Sequence, residues 1–180
     1  HPGGRRQTKL SLDGRHLYST ERGDGRLAIR RTELTTGREE EVFHADVVLP
    51  GTSLRVDQVL HIATVSLDNR RLAGHAWLGD GTAPDGETGI VVIDLDRGEA
   101  HVVAAHCDFH NPHLQYCRCP DGEAPRDLLV QMNHGARRAP DGEFIRRQGP
   151  PSVGGVDIHV VRDDGTEWRT LPFGRDGRES

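Results

Sequence analysis

The chain is 180 residues long, carries 23 Lys and Arg against 28 Asp and Glu for a formal charge of −5, and is 34% hydrophobic with 4% aromatic residues. That balance excludes a nucleic-acid surface of the usual basic kind, and no apolar run approaches the roughly 18 residues of a membrane-spanning helix. At roughly 100 to 200 residues per domain, the length sets one domain as the prior.

In chain order, alternation and turn residues predict short strands and no helix. The first group has a partial strand at 7–10, a turn at Asp13-Gly14, and strands at 16–20 and 26–34 joined through Gly23-Asp24-Gly25. A turn at Thr36-Gly37 and a strand at 41–44 close it. The second has strands at 59–65 and 72–78 around Asp68-Asn69, a polar loop at 79–87, a strand at 89–95, the Asp96-Arg97-Gly98 turn and a strand at 100–105. Its run Ile90-Val91-Val92-Ile93 is apolar on both faces, as expected of a strand sandwiched between two layers. The third group repeats the plan with 113–119, 128–133, 156–162, the Asp163-Asp164-Gly165 turn and 168–173. Residues 135–155 exceed the roughly 12 to 15 of an ordinary loop. Pro140, Pro150 and Pro151 there predict a lid without strands of its own.

One phrase recurs across the groups. Ser11-Leu12-Asp13-Gly14-Arg15-His16-Leu17 returns as Ser66-Leu67-Asp68-Asn69-Arg70-Arg71-Leu72, 55 positions later. A looser copy, Cys119-Pro120-Asp121-Gly122 leading into Asp127-Leu128-Leu129-Val130, follows 53 positions after that. Self-similarity at roughly 40 to 50 residues, with a tight turn and apolar strands in every copy, is the signature of a β-propeller. About three blades fit, fewer than the four to eight or so of a closed ring. The chain opens on His1, has its single methionine at Met132 and ends in the polar run 175–180, which reads as an internal piece of a longer protein. The expectation is a single incomplete domain over 1–180, with blades at about 5–46, 57–106 and 110–174 and the remaining blades of the parent chain as partners. End blades that have lost a neighbour should expose sheet faces.

Strand order places the loops. The tight Asp-Gly turns share one rim and read as structural, because they supply permissive backbone geometry. The other rim collects His106-Cys107-Asp108-Phe109-His110-Asn111-Pro112-His113 and Asn133-His134-Gly135, so four of the eleven histidines, with Asp108, are expected near one mouth of the axis. Neutral imidazole ligates metals and transfers protons near neutral pH, and His110, His113 and Asp108 could serve a divalent ion. The alternative is that these histidines only bond loop backbone. Cys117 and Cys119 fall on one face of the expected inner strand. Without a Cys-x-x-Cys knuckle, they and Cys107 read as reduced, buried packing residues, which favours a cytoplasmic location. Of the basic residues only Lys9 is not arginine, and arginine suits carboxylate ligands through its planar fork.

The motifs Val92-Ile93-Asp94-Leu95 with Gly98-Glu99, His113-Leu114-Gln115-Tyr116 on an inner strand, His134-Gly135, Val160-Val161-Arg162-Asp163-Asp164-Gly165 and Glu179-Ser180 stand in an order that resembles bacterial oligogalacturonate lyases. These are propeller enzymes related in fold to the TolB-type repeat. The resemblance covers about half the chain, from Thr88 to Ser180. The fold expected is all-β, a partial β-propeller of about three four-stranded antiparallel blades of a seven-bladed ring. The resemblance implies a manganese- or other divalent-metal-assisted β-elimination of oligogalacturonides, acidic oligosaccharides of pectin degradation, in which charge developing next to the uronate carboxylate is stabilised. It places the catalytic histidine and the metal ligands beyond Ser180, and Asp157 at the family's arginine position, where an acid repels a uronate. No catalytic residue is carried over; His110, His113 and His134 are the expected substrate-binding wall. The alternatives are a non-catalytic TolB-like propeller acting as a binding or interaction scaffold, and a related propeller lyase or hydrolase of other substrate preference, which Asp157 would suit.

Overall fold

The computed structural model describes residues 7–79, 87–106, 110–134, 136–138, 144–146 and 155–172. Strands β1 (Gln7–Leu10), β2 (His16–Gly23), β3 (Arg26–Glu33) and β4 (Glu39–Asp46) pair antiparallel in sequence order as blade one. Blade two is β5 (Val59–Val65), β6 (Arg71–Trp77), β7 (Thr88–Asp94) and β8 (Glu99–His106). Blade three begins with β9 (His110–Tyr116) and β10 (Asp127–His134). A two-stranded hairpin of β11 (Ala136–Arg138) and β12 (Phe144–Arg146) then intervenes before β13 (Gly155–Arg162) and β14 (Arg169–Thr170) complete the blade. Among the described residues there is no α-helix, only the 3-10 turns Val56–Gln58 and Ala124–Arg126.

The hairpin corrects the strandless lid expected over 135–155. Two three-residue strands are too short to show an alternation, and the flanking prolines masked them. Pro140, Pro150 and Pro151, the loop 80–86, Phe173 and the run 175–180 lie outside the described residues.

The repeated phrase is a hydrogen-bonded turn. Ser11 Oγ donates to Asp13 Oδ1 at 2.5 Å, the Arg15 N–H donates to the same oxygen at 3.0 Å, and the His16 N–H donates to Ser11 Oγ at 2.9 Å. Ser66, Asp68, Arg70 and Arg71 reproduce all three bonds at 2.6, 3.0 and 2.9 Å. Gly14 (φ 71°) and Asn69 (φ 61°) take the left-handed conformation at the same place, which glycine and asparagine tolerate best. In blade three the Cys117 N–H donates to the Asp127 carbonyl as Ser11 does to His16 and Ser66 to Arg71. Cys117, not Cys119, therefore stands in the serine's place, and the inner strand is β9 over 110–116 rather than 113–119.

The blades stack face to face. Tyr18, Leu27, Ile29 and Phe43 of blade one pack on Val65, Leu72, Val91 and Ile93 of blade two. Ala73, Ile90 and Val92 on the other side of blade two pack on Leu114, Tyr116, Leu128, Val130 and Val161 of blade three. The apolar run of β7 is thus explained by period two: Val91 and Ile93 enter one interface, Ile90 and Val92 the other. The inner strands lie side by side, β5 against β1 and β9 against β5. Gln7 Oε1 accepts from the Ile62 N–H at 3.3 Å, and Thr64 Oγ1 accepts from the Tyr116 N–H at 3.2 Å. The chain is three consecutive blades of a β-propeller.

Candidate functional site

The three inner strands enclose a cleft of about 390 Å³, lined by Lys9 from β1, His61 and Ala63 from β5, His75 from β6, and Pro112, His113 and Leu114 from β9. That volume lies within the roughly 300–1,000 Å³ of small-molecule sites. His61 and His75 are cross-strand neighbours, and their rings stack at 5.6 Å between centroids with 22° between planes.

Their meeting depends on the backbone. β5 breaks register twice against β6, between Val59 and His61 and between Ile62 and Thr64, and such irregularities re-aim side chains. The bulged strand presses on Gly74: a Cβ there would stand 2.1 Å from the His61 carbonyl oxygen. Only glycine fits that approach, so Gly74 positions His61 without touching the cleft.

The charges are of one sign. Burial lowers the pKa of His61, and Lys9, Arg22 and His113 lower it further, so the ring is neutral at pH 7 and can accept a proton or a hydrogen bond. Arg22 is itself desolvated, which lowers its guanidinium pKa, yet arginine keeps its charge. Among the described residues no carboxylate lines the cleft. An ammonium beside three imidazoles suits an anion, above all a carboxylate or phosphate group.

Of the histidines expected at the axis, His113 is exposed and lines this cleft. His110 pairs with Asn133, and His134 pairs with Gly155, so the backbone sets both at the same end of blade three, away from the Cys117 turn. The side chains of His110 and His134, and Cys107 and Asp108 altogether, lie outside the described residues. Asp157 lies opposite Met132 in β13 and is not among the lining residues. Lys9, His61 and His75 were not expected at the site. Their signal was present, since His61 and His75 stand seven residues on either side of Asp68, as partners in one hairpin do.

Among the described residues no group of three or more His, Cys, Asp or Glu side chains could hold a metal ion. A hard ion such as manganese takes oxygen donors, and the cleft offers imidazoles beside a cation. The described residues do not fit manganese. The cysteine expectation is also corrected: Cys117 is half-buried and Cys119 exposed, both free thiols in the loop after β9. Cys119 lies 3.6 Å from Asp121 Oδ2. They left the core because the strand ends at Tyr116.

No family model matches the chain, and no curated protein matches it. Solved structures do. The chain is similar to acylaminoacyl peptidase in complex with Z-Gly-Gly-Phe-chloromethyl ketone, at 17% identity and TM-score 0.50 over 92% of this chain and 25% of that one. It is also similar to TolB from Acinetobacter baumannii, at 13% and 0.46 over 92% and 42%, and to an oligogalacturonate lyase in complex with manganese, at 15% and 0.44 over 93% and 52%. The chain thus spans from a quarter to about half the length of these structures. At such identities the likeness is one of fold alone, and the blade topology makes this a β-propeller chain.

Proposed function

We propose that this chain supplies three blades of a larger propeller that binds an acidic oligosaccharide at its axis, and that the parent protein acts on oligogalacturonides as a lyase. The observation carrying the reading is the cleft in which Lys9, His61, His75 and His113 converge, with no carboxylate among the described lining residues. A uronate carboxylate is the matching group: Lys9 supplies a fixed positive charge, and the imidazoles supply donors or acceptors according to protonation. These residues bind and orient. The base, and the ligands of any divalent ion, belong in this reading to residues outside the chain.

The test is to titrate the parent protein calorimetrically with oligogalacturonate and with a neutral galactose oligomer of equal length, and to follow ultraviolet absorbance of the unsaturated elimination product with and without manganese. Selective binding with absorbance supports the lyase. Selective binding without absorbance under either condition leaves a non-catalytic scaffold of the TolB kind, and equal affinity for both oligomers removes the acidic ligand.

A further inference from the structure

The turn of blade three parts from the other two at its first residue. Ser11 and Ser66 each form two bonds to the residue that opens the next strand: the backbone N–H donates to its carbonyl, and the hydroxyl accepts its N–H, from His16 or Arg71. Cys117 keeps the first bond, to the Asp127 carbonyl. The second is gone, because the Asp127 N–H donates to the Ala124 carbonyl of the 3-10 turn instead. A sulfur is a weak acceptor, and the N–H that would have needed it is satisfied elsewhere. Cys117 is therefore not a serine substitute in the turn, and its thiol is released from structural duty.

The released sulfur meets the second cysteine. The Cys119 N–H donates to Cys117 Sγ at 3.4 Å, so the chain folds Cys119 back onto its neighbour's thiol. Cys119 Sγ lies 3.6 Å from Asp121 Oδ2, to which it donates. Residues 117–120 lie in no strand or helix, which leaves the short span between the sulfurs free to adjust. A disulfide needs Cα atoms about 4.4–6.8 Å apart, and positions two apart span that range in a bent backbone. The two thiols differ in access, since Cys119 is exposed and Cys117 half-buried. Access selects which thiol reacts first with an outside partner.

We propose that Cys117 and Cys119 form a thiol-modification site, a dithiol that low-molecular-weight disulfides oxidise reversibly to a Cys117–Cys119 disulfide. Cys119 loses its proton to solvent, attacks one sulfur of the small disulfide, forms a mixed disulfide and expels the first small thiolate. Cys117 loses its proton to solvent and attacks the Cys119 sulfur, which forms the Cys117–Cys119 bond and expels the second small thiolate. The pair gives up two protons and two electrons, and the small disulfide is reduced to two thiols. Cys119 is the entry point and Cys117 the resolving thiol.

The test treats the parent protein with oxidised glutathione, digests it with trypsin without reductant and maps the peptides by mass spectrometry. Trypsin cuts after Arg118, so peptide 98–118, holding Cys107 and Cys117, parts from peptide 119–126, holding Cys119, unless a disulfide joins them. The joined pair is expected, is expected to persist in Cys107→Ser, and is expected to come apart with excess reduced glutathione. Cys117→Ser should arrest the reaction at the first step and raise glutathione on Cys119 on the order of tenfold over the wild type, whereas Cys119→Ser should slow modification of Cys117 about tenfold. Circular dichroism checks that the variants keep their strand signal; should Cys117→Ser lose it, the map of Cys107→Ser decides alone. A link that disappears in Cys107→Ser, glutathione that stays on both cysteines of the wild type, a disulfide between two chains, or thiols left unmodified would each overturn the proposal.

Discussion

Asn69 donates from its side-chain amide to Asp13 Oδ2 at 3.1 Å, so the second copy of the repeated turn bonds directly to the first. Tyr18 Oη reinforces the joint by donating to the Asn69 carbonyl at 3.3 Å. The motif that sets the blade period in sequence also keys adjacent blades in space, and its serine is buried in both copies.

Removing that serine should be felt beyond its own turn. Ser66→Ala deletes the donor to Asp68 and leaves the Arg71 N–H without its acceptor. An unsatisfied buried group costs about 1–3 kcal/mol, and each kcal/mol lowers Tm by about 2–4 °C for a domain of this size. Thermal unfolding by circular dichroism should show this loss for Ser66→Ala and for Ser11→Ala. A change below about 1 °C in both would remove the turn from the determinants of stability.

Acid should weaken the turn rim. The Ser11 hydroxyl holds the Asp13 carboxyl below its ordinary 3.8. The Thr166 hydroxyl and amide bring Asp164 down to about 2. A carboxylate with a depressed folded pKa contributes stability that is complete above its unfolded value and is lost as pH falls through its folded value. Tm should therefore drop between about pH 5 and pH 2. Asp163 acts in the opposite sense: burial raises its pKa despite Arg126, so its protonation favours the fold as pH falls and offsets part of the loss. Asp164→Asn should flatten the decline below pH 4; an unchanged acid limb counts against the assignment.

Gly74→Ala should damage the fold and the cleft together. The added methyl meets His61 and Ile62 backbone rather than a yielding side chain, and overpacking of this kind costs about 1–3 kcal/mol or more. A lowered Tm together with loss of anion binding is expected. Retained affinity at full occupancy would show that His61 is not positioned through this contact.

Anion binding at the cleft should strengthen as pH falls. His61 is neutral at pH 7 because burial and neighbouring cations disfavour its charge, and a bound carboxylate reverses that preference and draws in a proton. Affinity for oligogalacturonate should rise about three- to tenfold from pH 8 to 5.5, and His61→Gln should remove most of the rise. Lys9→Met should weaken binding about tenfold at every pH, equivalent to about 1.4 kcal/mol. Calorimetry across the pH series measures both effects, and a flat profile for the wild type would exclude His61 as the proton acceptor.

Much of the architecture is local and so can be read along the chain. The Asp13-Gly14 and Asp68-Asn69 turns, the alternation of β5 to β8 and the double-faced run Ile90–Ile93 each depend on residues within a strand or a turn of one another. The β11–β12 hairpin escaped because three residues carry too little pattern. Cys119 was misplaced because the looser copy of the turn is longer, with Cys117 rather than Cys119 replacing the serine.

Turn chemistry and period-two burial thus mark out blades and their order from neighbouring residues alone. Which side chains share the axial cleft is another matter: Lys9, His61 and His113 stand about fifty positions apart, and the bulges of β5 over Gly74 decide where His61 points. The exposure of Leu129 opposite Val160 likewise acquires meaning only when three sheets are stacked. A residue's partner across an interface is set by sheet packing and register, which no short stretch of chain encodes.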